Sequence, residues 1–251
     1  MLLEGKNAVV YGGGGSIGGA IARAFAEEGA RVFLAGRSHD KLDRVAADIR
    51  TAGGAAEVAV FDALDEAAVD SHADAVVATG GSLDISVNVI THGDVQGTPM
   101  IEMSLADYEQ PVLNGVRTTF LTMRAAGRHM KRQGSGVVLV FGGDGDPVRG
   151  HSVGGLQVGF AALEAMRRQL AAELGRDGVR TVTLRTGGIP ETIPADFPGG
   201  AQLAEELAKP TMLGRTATLA DVGAAAAFAA SDKARTLTAA TVNISCGALV
   251  D

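Results

Sequence analysis

What the chain lacks narrows its class first. A single cysteine, Cys246, among 251 residues excludes an internal disulfide framework and a cysteine-rich zinc site, and fits a reducing cytoplasm. Cys246 has no basic neighbour in sequence and is expected to be a buried packing residue. Tryptophan is absent, and the only tyrosines are Tyr11 and Tyr108. No apolar run reaches the roughly 18–20 residues that a membrane span needs. The N-terminal MLLEGKNAVVYGGGG enters a predicted strand with no secretory-signal layout. No basic block occurs either: 22 Lys and Arg against 29 Asp and Glu leave a net charge of −7. That balance disfavours nucleic acid and anionic membrane surfaces as partners. With 46% hydrophobic and 20% charged residues, the composition is that of a globular cytoplasmic protein.

What is present alternates. Strands are predicted at Lys6–Tyr11, Arg31–Ala35, Glu57–Phe61, Leu83–Ile90, Gly136–Phe141, Val179–Arg185 and Ala240–Ser245. Helix-period segments lie between them. One runs from Ile17 to Glu28 and stops at Gly29; another runs from His39 to Ala52, with Leu42, Val45, Ala46 and Ile49 inward and Gly53-Gly54 as its stop. Further helices are predicted at Glu66–Thr79, after a Ser104 cap, at Leu156–Leu174 and after a Thr218 cap, with Pro111 breaking or kinking the one that Ser104 opens. Strands alternating with crossover helices give a doubly wound α/β fold, a parallel sheet with helices on both faces. No linker, composition shift or repeat divides the sequence, so residues 1–251 are expected to form one domain. The irregular stretch Gly187–Pro210 follows the sixth strand, where a substrate-covering lid belongs.

The first strand hands over to the first helix through Gly12-Gly13-Gly14-Gly15-Ser16-Ile17-Gly18-Gly19. Glycines permit a tight turn and let main-chain N–H groups approach an anion, while the helix N-terminus adds favourable partial charge. A strand before and a helix after, at the start of an alternating chain, is the context a dinucleotide site requires.

On this loop and this order of elements the chain resembles the short-chain dehydrogenase/reductase family, whose loop reads Thr-Gly-x-x-x-Gly-Ile-Gly. Tyr11 takes the threonine place, Gly12, Ile17 and Gly18 match, and Ser16 replaces the middle glycine. The resemblance spans essentially the whole chain. It implies a Rossmann-like fold with a seven-stranded parallel sheet, a nicotinamide dinucleotide against Gly12, Gly14, Ser16, Ile17 and Gly18, a small-molecule substrate, and a homodimer or homotetramer.

The end of the second strand reads Ala35-Gly36-Arg37-Ser38, with glycine in the family's acidic place. Nothing there repels a 2′-phosphate, and Arg37 and Ser38 offer donors to one, so NADP(H) is expected ahead of NAD(H). The competing reading of Arg37 is a solvated arginine opening a charged helix. Asp62 matches the family's adenine-binding position, or is an ordinary strand-end turn residue. Of the family's Asn-Asn-Ala-Gly, here Asn88-Val89-Ile90-Thr91, only Asn88 remains, and Thr91 in the glycine place implies a differently shaped pocket.

The catalytic positions depart from the family. Its members use a serine, a tyrosine, a lysine four residues later and an asparagine on the preceding helix, because hydride transfer to a carbonyl builds charge on oxygen that a positioned donor must meet. Asn114 fits the asparagine, but the register of the long helix puts Gly143, Leu156 and Phe160 in the serine, tyrosine and lysine places. With tyrosine only at Tyr11 and Tyr108, no shifted register restores the motif. Substitutes are sought in Asp144–Ser152, where His151 is the most suitable proton donor, with Arg149 and Ser152 to orient a substrate oxygen; His92 is a second histidine near the same edge. Leu156 and Phe160 make the pocket apolar and suit a partly apolar ligand. No fixed ligand spacing supports a metal. The leading reading is a divergent NADP(H)-dependent oxidoreductase acting on a carbonyl or alcohol. The alternative is an inactive NADP(H)-binding sensor or scaffold; a ligand-free structural subunit is disfavoured by the glycine loop and Gly36-Arg37.

Overall fold

The computed structural model describes residues 1–143, 151–197 and 199–250. Strands are β1 (Asn7–Tyr11), β2 (Arg31–Gly36), β3 (Ala55–Val60), β4 (Ile85–Asn88), β5 (Gly136–Gly142), β6 (Val179–Arg185) and β7 (Ala240–Asn243). Helices are α1 (Ser16–Glu27), α2 (His39–Thr51), α3 (Glu66–Gly80), α4 (Leu105–Gln133), α5 (Leu156–Leu174), α6 (Gly200–Ala208) and α7 (Leu219–Ala230). The sheet order is β3-β2-β1-β4-β5-β6-β7, and every pairing is parallel. This is the expected Rossmann-like α/β fold.

The period-two alternation of the strands sends side chains into two cores. Ala8 and Val10 of β1 pack with Ile21 and Phe25 of α1, Leu42 and Ile49 of α2 and Val222 of α7. Val9 and Tyr11 of the same strand pack on the other face with Val76 of α3, Met130 of α4 and Leu163 of α5. The strand order reverses at β1, so β1 and β4 lie side by side while their following loops part. A cleft opens at their carboxyl ends, where ligands sit in open parallel sheets.

Several local expectations change. The helix after Ser104 runs unbroken through Pro111 to Gln133. Pro111 removes one N–H six residues in, and the packing of the remaining turns outweighs that loss. Ser104 itself caps as expected, accepting from the Asp107 N–H at 3.1 Å. The stretch Gly187–Pro210 contains a 3-10 turn at Pro190–Thr192 and helix α6, so it is less irregular than its prolines and glycines suggest. β3 begins two residues earlier than expected, at Ala55, because its ladder is set by pairing from Arg31 of β2 and not by its own β-propensity. Cys246 is half-buried in a turn, with φ of +56°, so it is not a core residue.

At the start of α7 the Thr218 hydroxyl accepts from the Asp221 N–H, and the Asp221 carboxylate accepts from the Thr218 N–H. That backbone bond, the Arg215 guanidinium and the Thr218 hydroxyl bring the Asp221 pKa from 3.8 down to about 2. Thr218→Ala is expected to cost about 1 kcal/mol, lowering Tm by roughly 2–4 °C in a thermal melt at pH 7. A depressed carboxylate stabilises above its unfolded pKa and loses that contribution as pH falls through the folded one. The Tm gap between wild type and Asp221→Asn should therefore close between about pH 4 and pH 2.

Candidate functional site

The glycine loop folds through contacts that only glycine permits. Gly12 has φ of +82°, and a Cβ on it would lie 2.8 Å from the Val89 carbonyl oxygen. A Cβ on Gly18 would lie 2.2 Å from the Gly12 carbonyl oxygen, so α1 packs directly against the end of β1. No side chain caps α1; its N-cap is Gly15, and Gly15 and Ser16 are exposed. The first amides of the helix are therefore open to a ligand, which is the arrangement an anion needs.

Beside this loop lies a cavity of about 260 Å³. Gly12, Gly14 and Gly15 form one wall; Gly36, Arg37, Ser38 and Lys41 form a second; Phe61, Asp62, Val89–Thr91, Asn114 and Thr118 are also among the lining residues. The structure thus brings together Gly12, Gly14, Arg37, Ser38, Asp62 and Asn114 from the sequence-derived set. Ser38 is the N-cap residue of α2 but makes no side-chain cap bond, so its hydroxyl is not committed to the helix. Asp62 lines the cavity, and its Oδ1 accepts from the Leu64 N–H at 3.0 Å, as a strand-end turn residue does. Lys41 was missed in the sequence. The signal was available, since one helical turn beyond Ser38 returns a side chain to the end where Arg37 lies.

Other expected residues stand elsewhere. Asn88 does not line the cavity; its Oδ1 accepts from the Ile90 N–H at 3.0 Å, and its Nδ2 faces the Thr118, Thr119 and Thr122 hydroxyls at 3.3–3.5 Å, bracing the turn after β4. Ser16, Ile17 and Gly18, the first residues of α1, are not among the residues that line the cavity. His151 is exposed and lies outside the lining, with Nε2 2.9 Å from Gln96 Oε1. The Gln96 amide nitrogen donates to Asp94 at 2.6 Å, so its oxygen accepts and His151 donates through Nε2. Asp144, Asp146 and Arg149 lie outside the described residues.

The residues that the register puts in the family's serine, tyrosine and lysine places carry no polar side chain. Leu156 is half-buried at the start of α5, and the Phe160 ring lies so close over Gly143 that a Cβ there would meet it at 2.7 Å. The buried histidine of this edge is His92. Its carbonyl oxygen accepts from Asn114 Nδ2 at 3.1 Å, and its ring lies 5.8 Å from that of Phe160. Burial lowers its pKa below the usual histidine value, with Asp94 acting weakly the other way. At the opposite end Tyr11 is buried, and burial, helped by Asp70, raises the pKa of its phenol. Among the described residues no group of acidic, histidine or cysteine side chains is arranged to hold a metal ion.

A parallel sheet with a glycine-loop cleft at its switch point defines a Rossmann nucleotide-binding fold. Comparison with known proteins narrows this class. A family profile described as enoyl-(acyl carrier protein) reductase matches residues 13–248. D-threitol dehydrogenase of Mycolicibacterium smegmatis is 31% identical over 245 residues, covering 98% of this chain and 93% of that protein. Galactitol 2-dehydrogenase (L-tagatose-forming) of Cereibacter sphaeroides is 31% identical over 248 residues, covering 98% and 95%. A solved 7α-hydroxysteroid dehydrogenase, in complex with NADH and 7-oxo glycochenodeoxycholic acid, superposes with a TM-score of 0.86 at 25% identity over 98% of this chain and 94% of that one. The chain belongs to the short-chain dehydrogenase/reductase family.

The close approach at Gly18 makes a direct prediction. Gly18→Ala is expected to cost about 1–3 kcal/mol through overpacking, seen as a fall in Tm. Gly175→Ala, where nothing lies within 4 Å, should leave Tm unchanged or slightly raised.

Proposed function

We propose that the protein is an NADP(H)-dependent oxidoreductase that interconverts an alcohol and a carbonyl with a non-standard proton donor. The observation that carries this reading is the cavity wall at the end of β2, where Gly36, Arg37, Ser38 and Lys41 offer a planar cation, an uncommitted hydroxyl and a second positive charge. Asp62, on a different wall, is the one acidic residue of the lining among the described residues. Such a wall favours a 2′-phosphate and removes the carboxylate that would repel it.

A bound nicotinamide would supply or accept the hydride. The chain's own residues do the rest. The α1 amides at residues 16–18 and the turn at Gly12–Gly14 would hold the pyrophosphate, Arg37, Ser38 and Lys41 would hold the 2′-phosphate, and Asp62 would bind the adenine. Asn88 keeps the loop after β4 in place from behind. Asn114, anchored on the His92 carbonyl, holds the relay water. His151 donates or takes the proton; with Nε2 turned to Gln96, Nδ1 is the nitrogen that exchanges it. Gly143, Leu156 and Phe160 occupy the family's serine, tyrosine and lysine places and make the ligand end apolar. The segment 187–210 covers it.

One observation favours the second reading, a nucleotide-binding sensor or scaffold: the Phe160 ring fills the space over Gly143 with neither a hydroxyl nor an amine. In either case we infer a cytoplasmic homodimer or homotetramer, with the exposed Leu113 and Phe120 of α4 and Val158 of α5 turned to the partner.

Two experiments test the reading. Loss of the Arg37 fork removes a charge-assisted contact of about 1.5–3 kcal/mol, so Arg37→Ala should weaken NADPH at least tenfold by fluorescence titration and NADH less than twofold. Equal losses would contradict the 2′-phosphate assignment. With NADP⁺ and D-threitol, galactitol or a 7α-hydroxysteroid as trial substrates, His151→Ala should lower turnover by about 10²-fold or more, the usual worth of a general acid or base. Nucleotide binding without turnover across the panel would favour the sensor.

A further inference from the structure

We propose that His92, beside the cavity-lining Thr91 and Asn114, orients the substrate oxygen by offering it Nε2–H. The inference rests on the nucleotide site proposed above and does not depend on the role given to His151.

Four observations carry it. Placement comes first: Thr91, just before His92, and Asn114, which donates to the His92 carbonyl, both line the cavity. The second is the slot that holds the ring. A Cβ on Gly115 of α4 would meet Cε1, Nδ1 and Nε2 at 3.0, 3.1 and 3.2 Å, and a Cβ on Gly159 of α5 would lie 3.9 Å from Nδ1. Two glycines on neighbouring helices therefore leave room for the imidazole, and a larger residue at 115 would push it out. Third, the ring lies beside Phe160, whose own ring covers Gly143. His92 is thus a hydrogen-bonding side chain packed against Phe160, the residue in the family's lysine place.

The fourth observation fixes the tautomer. Nδ1 is sealed from solvent and has no partner among the described residues. A buried N–H without an acceptor is the rarer and costlier of the two orphans, so Nδ1 carries the lone pair and Nε2 the proton. Burial disfavours the imidazolium, which keeps the ring neutral. A neutral donor beside a phenylalanine suits a carbonyl or hydroxyl oxygen and gives no counter-charge to a carboxylate. The preferred substrate class is accordingly an uncharged alcohol or ketone.

The test uses the full chain with ¹⁵N-labelled histidine, NADP⁺ and NADPH as probes, and a thermal melt to register binding. The neutral form of His92 should be the Nε2–H tautomer. NADP⁺ should lower its titration midpoint more than NADPH does, because the cationic nicotinamide opposes a second positive charge nearby. His92→Phe, which keeps a ring against Gly115, should bind NADPH within twofold of wild type and lose the differential signal. A neutral Nδ1–H form, or equal midpoints with the two nucleotides despite a thermal shift from both, would overturn the role of His92 alone. No thermal shift from either would overturn the nucleotide site and this proposal with it.

Discussion

The site depends on one close contact: Gly18, at the start of α1, packs against the carbonyl of Gly12, at the end of β1. Because neither residue carries a side chain, the strand turns into the helix within a few residues and the first amides of α1 stay open. The same turn brings Gly12 against the Val89 carbonyl at the end of β4, so the two strands flanking the switch point are locked where the cleft must form. Every other feature of the site is hung on that junction. Helix α2 leans over the loop, with Lys41 so close that a Cβ on Gly14 would lie 2.9 Å from its own. The anion-facing start of α1 and the basic start of α2 are thereby held side by side.

From that junction the site divides into two halves of opposite character. The half at the end of β2 is polar and cationic, and it is the half to which we assign the phosphorylated ribose. The half between α4 and α5 has become apolar and aromatic. Phe160 covers Gly143, and among the described residues Asn114 and the His92 imidazole are polar groups there, tied together through one backbone carbonyl. A donor set of this kind can recognise an uncharged oxygen. That separates the question of what binds from the question of what reacts.

Much of the fold was legible because its signals are local. Glycine stops, the Ser104 and Thr218 caps and the inward row Leu42, Val45, Ala46 and Ile49 all appear where expected, since each rests on spacing within a few residues. The misreadings came where tertiary context decides. Pro111 does not break its helix, β3 starts where β2 pairs with it, and α6 forms within a stretch whose prolines and glycines signal a loop. In the site, Arg37, Ser38 and Asp62 follow from motif positions, but Lys41 emerges only once α2 is wound. Asn88 matched a family position and yet faces three threonine hydroxyls behind the cavity. The histidines show the same limit. His151 stood out for its sequence neighbourhood, while the enclosure of His92 arises from glycines 23 and 67 residues further on, at Gly115 and Gly159.

The account stands on the phosphate-binding character of the wall formed by Arg37, Ser38 and Lys41 beside the glycine loop. Calorimetric titration of the unmodified protein with NADPH and with NADH tests it most directly. Binding of NADPH at least tenfold tighter than NADH, with the advantage shrinking as salt is raised, is the predicted result. Equal affinity for the two, or no heat from either, would contradict it.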